Sequence, residues 1–263
     1  MLSADDTIGG TGRESHSQRR HSSIGHRATE QLPTNLLAGA RLTAENRVAG
    51  TIRTGAANKA LGLGRKGRET RARLLAATRT LLETTSPLHL TAAAIAKEAG
   101  IAPATLYVYF ADVQDVLYAL ALETHHAFAQ LAESRAEWFT ESSRFESDAK
   151  ALIAAYNEIY SAHARVLQYR SLEADRGNAR FVGLQMTDAV PVIELLARAI
   201  RRNRSDLSKS EALADAVVFQ CAMERLASMR LQFPPDRPGP STEELDRAQA
   251  RLIARHLVPP NRC

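Results

Sequence analysis

The chain has 263 residues, of which 44% are hydrophobic but only 5% aromatic, a balance typical of an alanine- and leucine-rich helical protein with one large or two modest domains. No apolar run approaches the roughly 18 to 20 residues of a membrane span, and the N-terminus lacks the apolar segment of a secretion signal, so we expect a cytoplasmic protein. The two cysteines, Cys221 and Cys263, are too few for a disulfide framework or a cysteine-based metal site.

The formal charge of +5 is unevenly distributed along the chain. Basic residues outnumber acidic ones by 8 to 5 over residues 1–64 and by 7 to 4 over 65–112, whereas residues 113–263 hold 19 basic and 20 acidic residues. The positive excess therefore lies in the N-terminal part, as expected if this part meets phosphate groups. A small excess of this kind is also common on an ordinary solvated surface.

Residues 1–64 carry scattered Gly, Ser, Thr, Asn, His and Arg with few apolar clusters, so we predict a disordered basic extension. One interpretation is an arm that follows the DNA backbone or enters the minor groove. The other, which we favour, is an unstructured leader with no fixed role.

The first regular element is an amphipathic helix predicted over residues 68–83, with leucines along one face. Ser86-Pro87 breaks the chain after it, because the residue before a proline avoids the helical region. Leu88 and Leu90 are expected to fix the following loop to the core.

The segment that begins at Thr91 predicts a short helix and a tight turn. The Thr91 hydroxyl can cap the first amides of a helix over about residues 92–98. Gly100 then ends this helix, because glycine enters the left-handed region without a Cβ penalty, and Ile101 can return to the core.

A second short helix follows this turn. Pro103 suits its first turn, where no amide hydrogen is needed, and Leu106 and Phe110 are four residues apart and face the interior. The outside and flanks of the helix are then formed by Thr105, Tyr107, Val108 and Tyr109. Two helices joined in this way can lay one of them in a DNA groove, although the same spacing also fits an ordinary helical hairpin.

The run from about Arg68 to Val116 resembles the DNA-binding domain of TetR-type (tetracycline-repressor-like) transcriptional regulators. The matched features, in chain order, are the first amphipathic helix, the threonine-capped second helix, the turn Ala99-Gly100-Ile101, the segments Thr105-Leu106-Tyr107 and Tyr109-Phe110, and a helix that begins at Asp112.

This resemblance implies an all-α protein with an N-terminal three-helix helix-turn-helix DNA-binding domain over 65–112 and a C-terminal helical ligand-binding and dimerisation domain over 113–263. It further implies a bacterial cytoplasmic regulator, nucleoid-associated when bound, and most commonly a repressor. The expected partners are double-stranded DNA with a palindromic operator, a second copy of the chain and an unidentified small-molecule effector. No cofactor and no membrane are expected.

The resemblance also implies roles for single residues by matched position. Thr91 corresponds to a helix-cap residue that touches a phosphate, and Tyr107 to a phosphate-contacting hydroxyl. Thr105 and Tyr109 correspond to groove-facing residues. The full set of expected DNA-contacting residues is Arg65, Lys66, Arg68, Thr91, Lys97, Ala102, Pro103, Ala104, Thr105, Tyr107, Val108 and Tyr109.

Two positions depart from the family pattern. Ala102 replaces the frequent small polar cap of the recognition helix, and Val113 stands where a lysine often contacts phosphate. We therefore expect binding to rely on the cations before the first helix, on Lys97 and on DNA shape, with few bidentate base contacts.

Beyond Asp112 the periodicity predicts a linking helix to about Glu133 and then further helices over about 143–162, 164–175, 178–203, 208–232 and 241–257. Capping boxes at Ser208 and Ser241 introduce the last two. The former of these is apolar on more than one face and therefore needs burial on more than one side. On the family analogy, the last two helices form a homodimer interface.

A ligand pocket in the body is expected on the same analogy, although aromatic and Met side chains at helical spacing are more often plain core. The candidate lining residues are Tyr156, Tyr160, Tyr169, Phe181, Gln185, Met186, Phe219 and Met223. Arg170 and Glu173 are interpreted either as a buried pair or as a solvated edge. His125, His126 and His163 have no second ligand cluster at suitable spacing, so no metal site is predicted.

Two other functions compete with the regulator. An enzyme is not expected, because the sequence contains no GxSxG, Walker-type or HExxH pattern. A non-specific, architectural DNA-binding protein would use the same cations without a ligand pocket. A discrete palindromic footprint would favour the regulator over continuous coverage of DNA.

Overall fold

A computed structural model describes residues 63–230, 232 and 238–260. The helices of this described part are α1 Arg65–Thr84, α2 Ala92–Glu98, α3 Pro103–Tyr109, α4 Val113–Glu133, α5 Phe145–Ala162, α6 Ala164–Asp175, α7 Ala179–Asn203, α8 Lys209–Arg230 and α9 Thr242–Leu257. No strand occurs among the described residues, so the all-α prediction is confirmed. The extension predicted over 1–64 lies, apart from its last two residues, outside the described part.

The helix bounds agree closely with the sequence periodicity. The first helix begins at Arg65, three residues earlier than predicted, and the other helices lie within two residues of their predicted bounds. Two predicted helix caps are present. The Thr91 hydroxyl accepts a hydrogen bond from the Ala94 amide at 3.1 Å, and Ser241 and Glu244 form a capping box. Local side-chain to backbone bonds therefore set where these helices start.

The first hydrophobic cluster lies between the three N-terminal helices. Leu74, Ile95, Leu106 and Phe110 are all completely buried within it. The cluster does not end at these helices, because side chains of α4, α6 and α7 complete it, among them Tyr118, Val166, Tyr169, Phe181 and Leu184. The N-terminal head, α1 to α3, thus shares its core with the body, α4 to α9.

The loop between α1 and α2 differs from its prediction at one position. Leu90 is buried in the head cluster, as expected, but Leu88 is 54% exposed. A short 3-10 turn over Pro87–His89 separates the two leucines and directs them differently, so the prediction for Leu88 was wrong.

A second cluster forms the core of the body. It is built mainly from α5, α7, α8 and α9, with the C-terminal part of α4, and contains Phe128, Leu152, Val192, Leu196 and Ile253. Helix α7 packs on α4, α6 and α8, while α9 packs chiefly on α5. None of the described helices is both long and apolar enough to cross a membrane.

Candidate nucleic-acid interface

Helix α3 and the turn before it form the surface that the sequence singled out. Gly100 adopts the left-handed conformation, with φ at 63°. The Ile101 amide donates to the Ala96 carbonyl at 2.9 Å and the Gly100 amide donates to the Lys97 carbonyl at 3.0 Å. This is the Schellman pattern that closes a helix C-terminus, and it fixes the direction in which the chain enters α3.

Helix α1 holds the same turn from the other side. The Arg73 guanidinium donates through Nη2 to the Ala99 carbonyl at 2.5 Å. The Arg71 guanidinium lies 5.0 Å from the centre of the Phe110 ring, at the end of α3, and burial lowers the pKa of Arg71. Cation–π contacts of this kind add to apolar packing. Both arginines were absent from the predicted site, because only the packing of α1 on the turn gives them a role.

The outward side of α3 is open to solvent. Tyr107 is 54% exposed and Val108 is 62% exposed, whereas Leu106 is completely buried. Thr105 and Tyr109 are half-buried at the flanks. Helix α3 lacks a side-chain cap, as expected from Ala102, and begins instead with Pro103 in its first turn.

The remaining predicted contact residues are also accessible. The exposed ones are Arg65, Lys66, Arg68, Thr91, Lys97, Ala102, Pro103 and Ala104. The cations of α1 have local partners: Arg65 Nε lies 3.8 Å from Glu69 Oε1, and Arg68 Nη1 donates to the Leu63 carbonyl at 2.6 Å. An exposed pair such as Arg65–Glu69 is weak enough to be replaced by a phosphate contact.

The predicted effector residues do not converge on one place. Tyr156, Tyr160 and Met223 pack in the body core, and Phe219 lies against it. Tyr169 and Phe181 belong to the head cluster, where their ring centres are 5.6 Å apart. Met186 on α7 lies in neither cluster, because its side chain is 55% exposed to solvent.

The structure separates Arg170 from Glu173, which the sequence had offered as a possible pair. Arg170 is 2% exposed and donates to Asp188 at 2.5 Å and to Glu224 at 2.6 Å. Burial opposes the charge of Arg170, but the two carboxylates outweigh it and raise the pKa of the guanidinium. Glu173 instead accepts from Gln114 at 2.9 Å.

Further polar groups surround this buried arginine. Gln185 Nε2 donates to Glu224 Oε1 at 3.2 Å, and His125 Nδ1 lies 3.3 Å from Asp188 Oδ1. Deeper in the body, Gln220 Nε2 donates to the Tyr156 hydroxyl at 3.0 Å, and burial raises the pKa of Tyr156. No group of three metal-ligating side chains occurs within the described residues. The sequence did not reveal Asp188 or Glu224, since each meets Arg170 only through tertiary packing.

These features define a helix-turn-helix motif joined to a helical body. Residues 74–120 match the family model described as bacterial regulatory proteins, tetR family. The resemblance seen in the sequence is therefore confirmed over these residues, which are similar to the DNA-binding domain of TetR-type transcriptional regulators.

About three quarters of the chain is similar in fold to solved structures. A putative TetR-family transcriptional regulator from Mesorhizobium loti aligns with a TM-score of 0.55 at 18% identity, over 74% of this chain and 98% of that chain. The fatty acid degradation regulator FadR from Bacillus halodurans aligns with a TM-score of 0.52 at 17% identity, over 73% of this chain and 96% of that chain. Among curated proteins, none matches the sequence significantly.

Proposed function

We propose that this regulator is a homodimeric repressor that binds a palindromic operator and leaves it when a small-molecule effector binds the body. The observation that carries the DNA part is the presentation of α3. The Schellman turn and Arg73 hold the start of the helix, while Tyr107 and Val108 are 54% and 62% exposed. A rigidly held helix with an open face is the geometry that a major groove accepts.

DNA readout would combine a few α3 contacts with a larger electrostatic contribution. The outward side of α3 carries hydroxyls at Thr105, Tyr107 and Tyr109 but no arginine or asparagine for bidentate base contacts. Cations at the start of α1 and Lys97 on α2 are exposed and able to neutralise phosphates. We expect operator specificity to depend in part on DNA shape.

Dimerisation through α8 and α9 would cover an apolar surface that one copy leaves open. Val218 on α8 is 65% exposed and Leu252 on α9 is 62% exposed. The two helices run side by side, since His256 on α9 lies 2.8 Å from Asp215 on α8. A two-fold axis through this surface would present two copies of α3 to the two halves of a palindrome.

The proposed effector response is a population shift between two conformers. An effector that binds better when α4 has swung away would leave the two heads mismatched to their half-sites. Support comes from polar groups in the body: Gln185 donates to Glu224, the partner of the buried Arg170, and Gln220 donates to the buried Tyr156 hydroxyl. Polar groups inside an apolar core are typical of ligand sites.

Genome-wide footprinting of the purified full-length chain tests the regulator. We expect discrete protected sites with two-fold symmetry and half-sites roughly 34–36 Å apart. Continuous coverage of DNA would favour an architectural protein and would overturn the proposal. The genes beside each footprint would then supply candidate effector classes, and an effector whose affinity is unchanged by operator DNA would contradict the linkage.

Two lysine variants separate DNA contact from general charge. Lys97→Ala on α2 should weaken operator binding and lower the slope of log affinity against log salt by about 1, because one phosphate contact is lost. Lys150→Ala on α5 also removes one positive charge, but from the body, and serves as the control. Equal effects of the two substitutions would contradict the proposed interface.

A further inference from the structure

The turn between α3 and α4 is tied to α7 by one buried carboxylate. Asp115, in the first turn of α4, is 2% exposed. Its Oδ2 accepts a hydrogen bond from the Ala111 amide at 3.2 Å, and its Oδ1 accepts one from Arg180 Nη2 at 2.8 Å. Ala111 follows Phe110, the C-cap of α3, so a single side chain connects the segment just after α3 to the first turn of α7.

The Arg180 side chain is itself fixed from a second direction. Its guanidinium lies over the Tyr118 ring, 4.2 Å from the centre, and Tyr118 packs edge-on against Phe181 at 5.4 Å. Tyr118 is 6% exposed and belongs to the head cluster. Arg180 therefore contacts both the carboxylate and the aromatic core, and its position is set by the protein rather than by solvent.

A neighbouring amide network holds the start of α4 from another side. Gln114 Nε2 donates to Glu173 Oε2 at 2.9 Å, and Asn178 Nδ2 donates to Gln114 Oε1 at 3.3 Å. Glu173 is near the end of α6 and Asn178 caps α7. Together with Asp115, these bonds fix the first turn of α4 against the corner between α6 and α7.

We propose that Asp115 and Arg180 are positioning residues for DNA binding, which set the direction of α3 without touching DNA. Helix α3 spans seven residues and is anchored to the core by Leu106 and by Phe110 after it, so it has few contacts of its own to define its orientation. The carboxylate of the pair is buried while the Arg180 side chain is 34% exposed, so the value of the pair lies in the position it gives to Ala111 and α4 rather than in net stability. Recognition groups must be held within about 0.5 Å of their productive positions.

This inference rests on the proposed function, recognition of an operator through α3. It differs from it in assigning DNA affinity to residues that contact no phosphate. The distinction is measurable, because losing a phosphate contact changes the salt dependence of binding, whereas misplacing α3 lowers affinity with little change in the number of phosphates neutralised.

The test measures operator affinity over a range of salt concentrations for the full-length wild type, Arg180→Gln, Asp115→Asn and the double variant. We expect each single substitution to weaken binding about tenfold with the salt slope unchanged, and the double variant to be no weaker than the singles, because both remove the same contact. Arg198→Gln is the matched control. Arg198 is an exposed cation on the same helix, α7, and pairs with Glu194 Oε2 at 3.7 Å.

Hydrogen exchange supplies a readout that a general loss of stability would not give. In Arg180→Gln, exchange should rise in the segment that contains the Ala111 amide and stay unchanged in α8 and α9. Arg180→Lys, which keeps the charge, should recover part of the affinity, so the question is decided even if Asp115→Asn does not fold.

Two outcomes would overturn the inference: unchanged affinity in Arg180→Gln, or a salt slope lowered by about 1, which would make Arg180 a phosphate ligand. Failure of the proposed function is distinguishable, because in that case the wild type itself would yield no discrete operator. If the wild type binds an operator and Arg180→Gln binds it equally well, only the positioning role is contradicted.

Discussion

Arg73 closes over the turn at Gly100: a Cβ added to Gly100 would lie 3.4 Å from Arg73 Nη2. The positive φ of 63° is what favours glycine at this position, since 3.4 Å is an ordinary van der Waals contact for a Cβ atom. A methyl group at residue 100 would therefore fit beside the Arg73 guanidinium, which donates to Ala99.

Replacing this glycine should destabilise the head. Gly100→Ala should lower the free energy of unfolding by about 1–2 kcal/mol, because an L residue in the left-handed region is strained. Gly183→Ala in α7 is the control: nothing lies within 4 Å of its added Cβ, and alanine should stabilise the helix interior by up to about 1 kcal/mol. Urea denaturation measures both, and a stabilising Gly100→Ala would refute the strained turn.

The buried ion pair of the body should be costly to break. Arg170→Met leaves Asp188, which is 3% exposed, without its main cation, so we expect a loss of about 3–5 kcal/mol in the free energy of unfolding. Arg198→Ala removes a surface partner of Glu194 and should change stability by less than about 1 kcal/mol. Similar losses in the two variants would show that the interior network is far better solvated than its burial implies.

The pH dependence of stability should include a contribution from His163. Burial, and then the charge of Arg79, lower its pKa from the usual 6.5, partly offset by Glu123. Because the folded chain resists protonation of His163 more than the unfolded chain does, the unfolded chain binds more protons below about pH 6.5. Stability should therefore be complete above that pH and decline as the pH falls.

The variant His163→Gln isolates this contribution. Between about pH 7.5 and pH 5.5 its free energy of unfolding should fall less than that of the wild type, as measured by urea denaturation at each pH. His126→Gln, at an exposed position of α4, should retain the wild-type dependence. If His163→Gln loses as much stability as the wild type over this range, His163 is not responsible.

The apolar surface of α8 should control the oligomeric state. Val218→Asp places a charge on a side chain that is 65% exposed in one copy, so it should shift sedimentation from dimer to monomer and weaken operator binding. Leu88→Asp is matched in exposure, at 54%, but lies in the loop before α2 and should leave the dimer intact. A dimeric Val218→Asp would move the proposed interface elsewhere.

Local signals explain which parts could be predicted from the sequence. Thr91, Gly100, Pro103 and the Ser241 capping box act within four residues of their own position, and the helices they delimit are where the sequence places them. Partners distant in sequence could not be predicted. The Asp115–Arg180 pair spans 65 residues, and Arg170 reaches Glu224 across 54.

The candidate effector residues illustrate the same limit. The sequence offered Tyr156, Tyr169 and Phe181 as candidate pocket-lining residues or as plain core, and all three are buried. The sequence carried no information on which cluster each would join, because that depends on how α5, α6 and α7 cross. Tyr156 packs in the body, whereas Tyr169 and Phe181 pack with the head.

The shared core also bears on how the head can be used outside this protein. Phe181, completely buried, and Tyr169 come from helices more than fifty residues downstream of α3, yet they pack with Tyr118 as part of the same interior as Leu106. A fragment cut after α4 would expose Tyr118 and would lose Tyr169 and Phe181 from this cluster. The N-terminal head is therefore not expected to fold natively when it is moved into another protein by itself. Chimeras that also keep α6 and the first half of α7 should retain its native core.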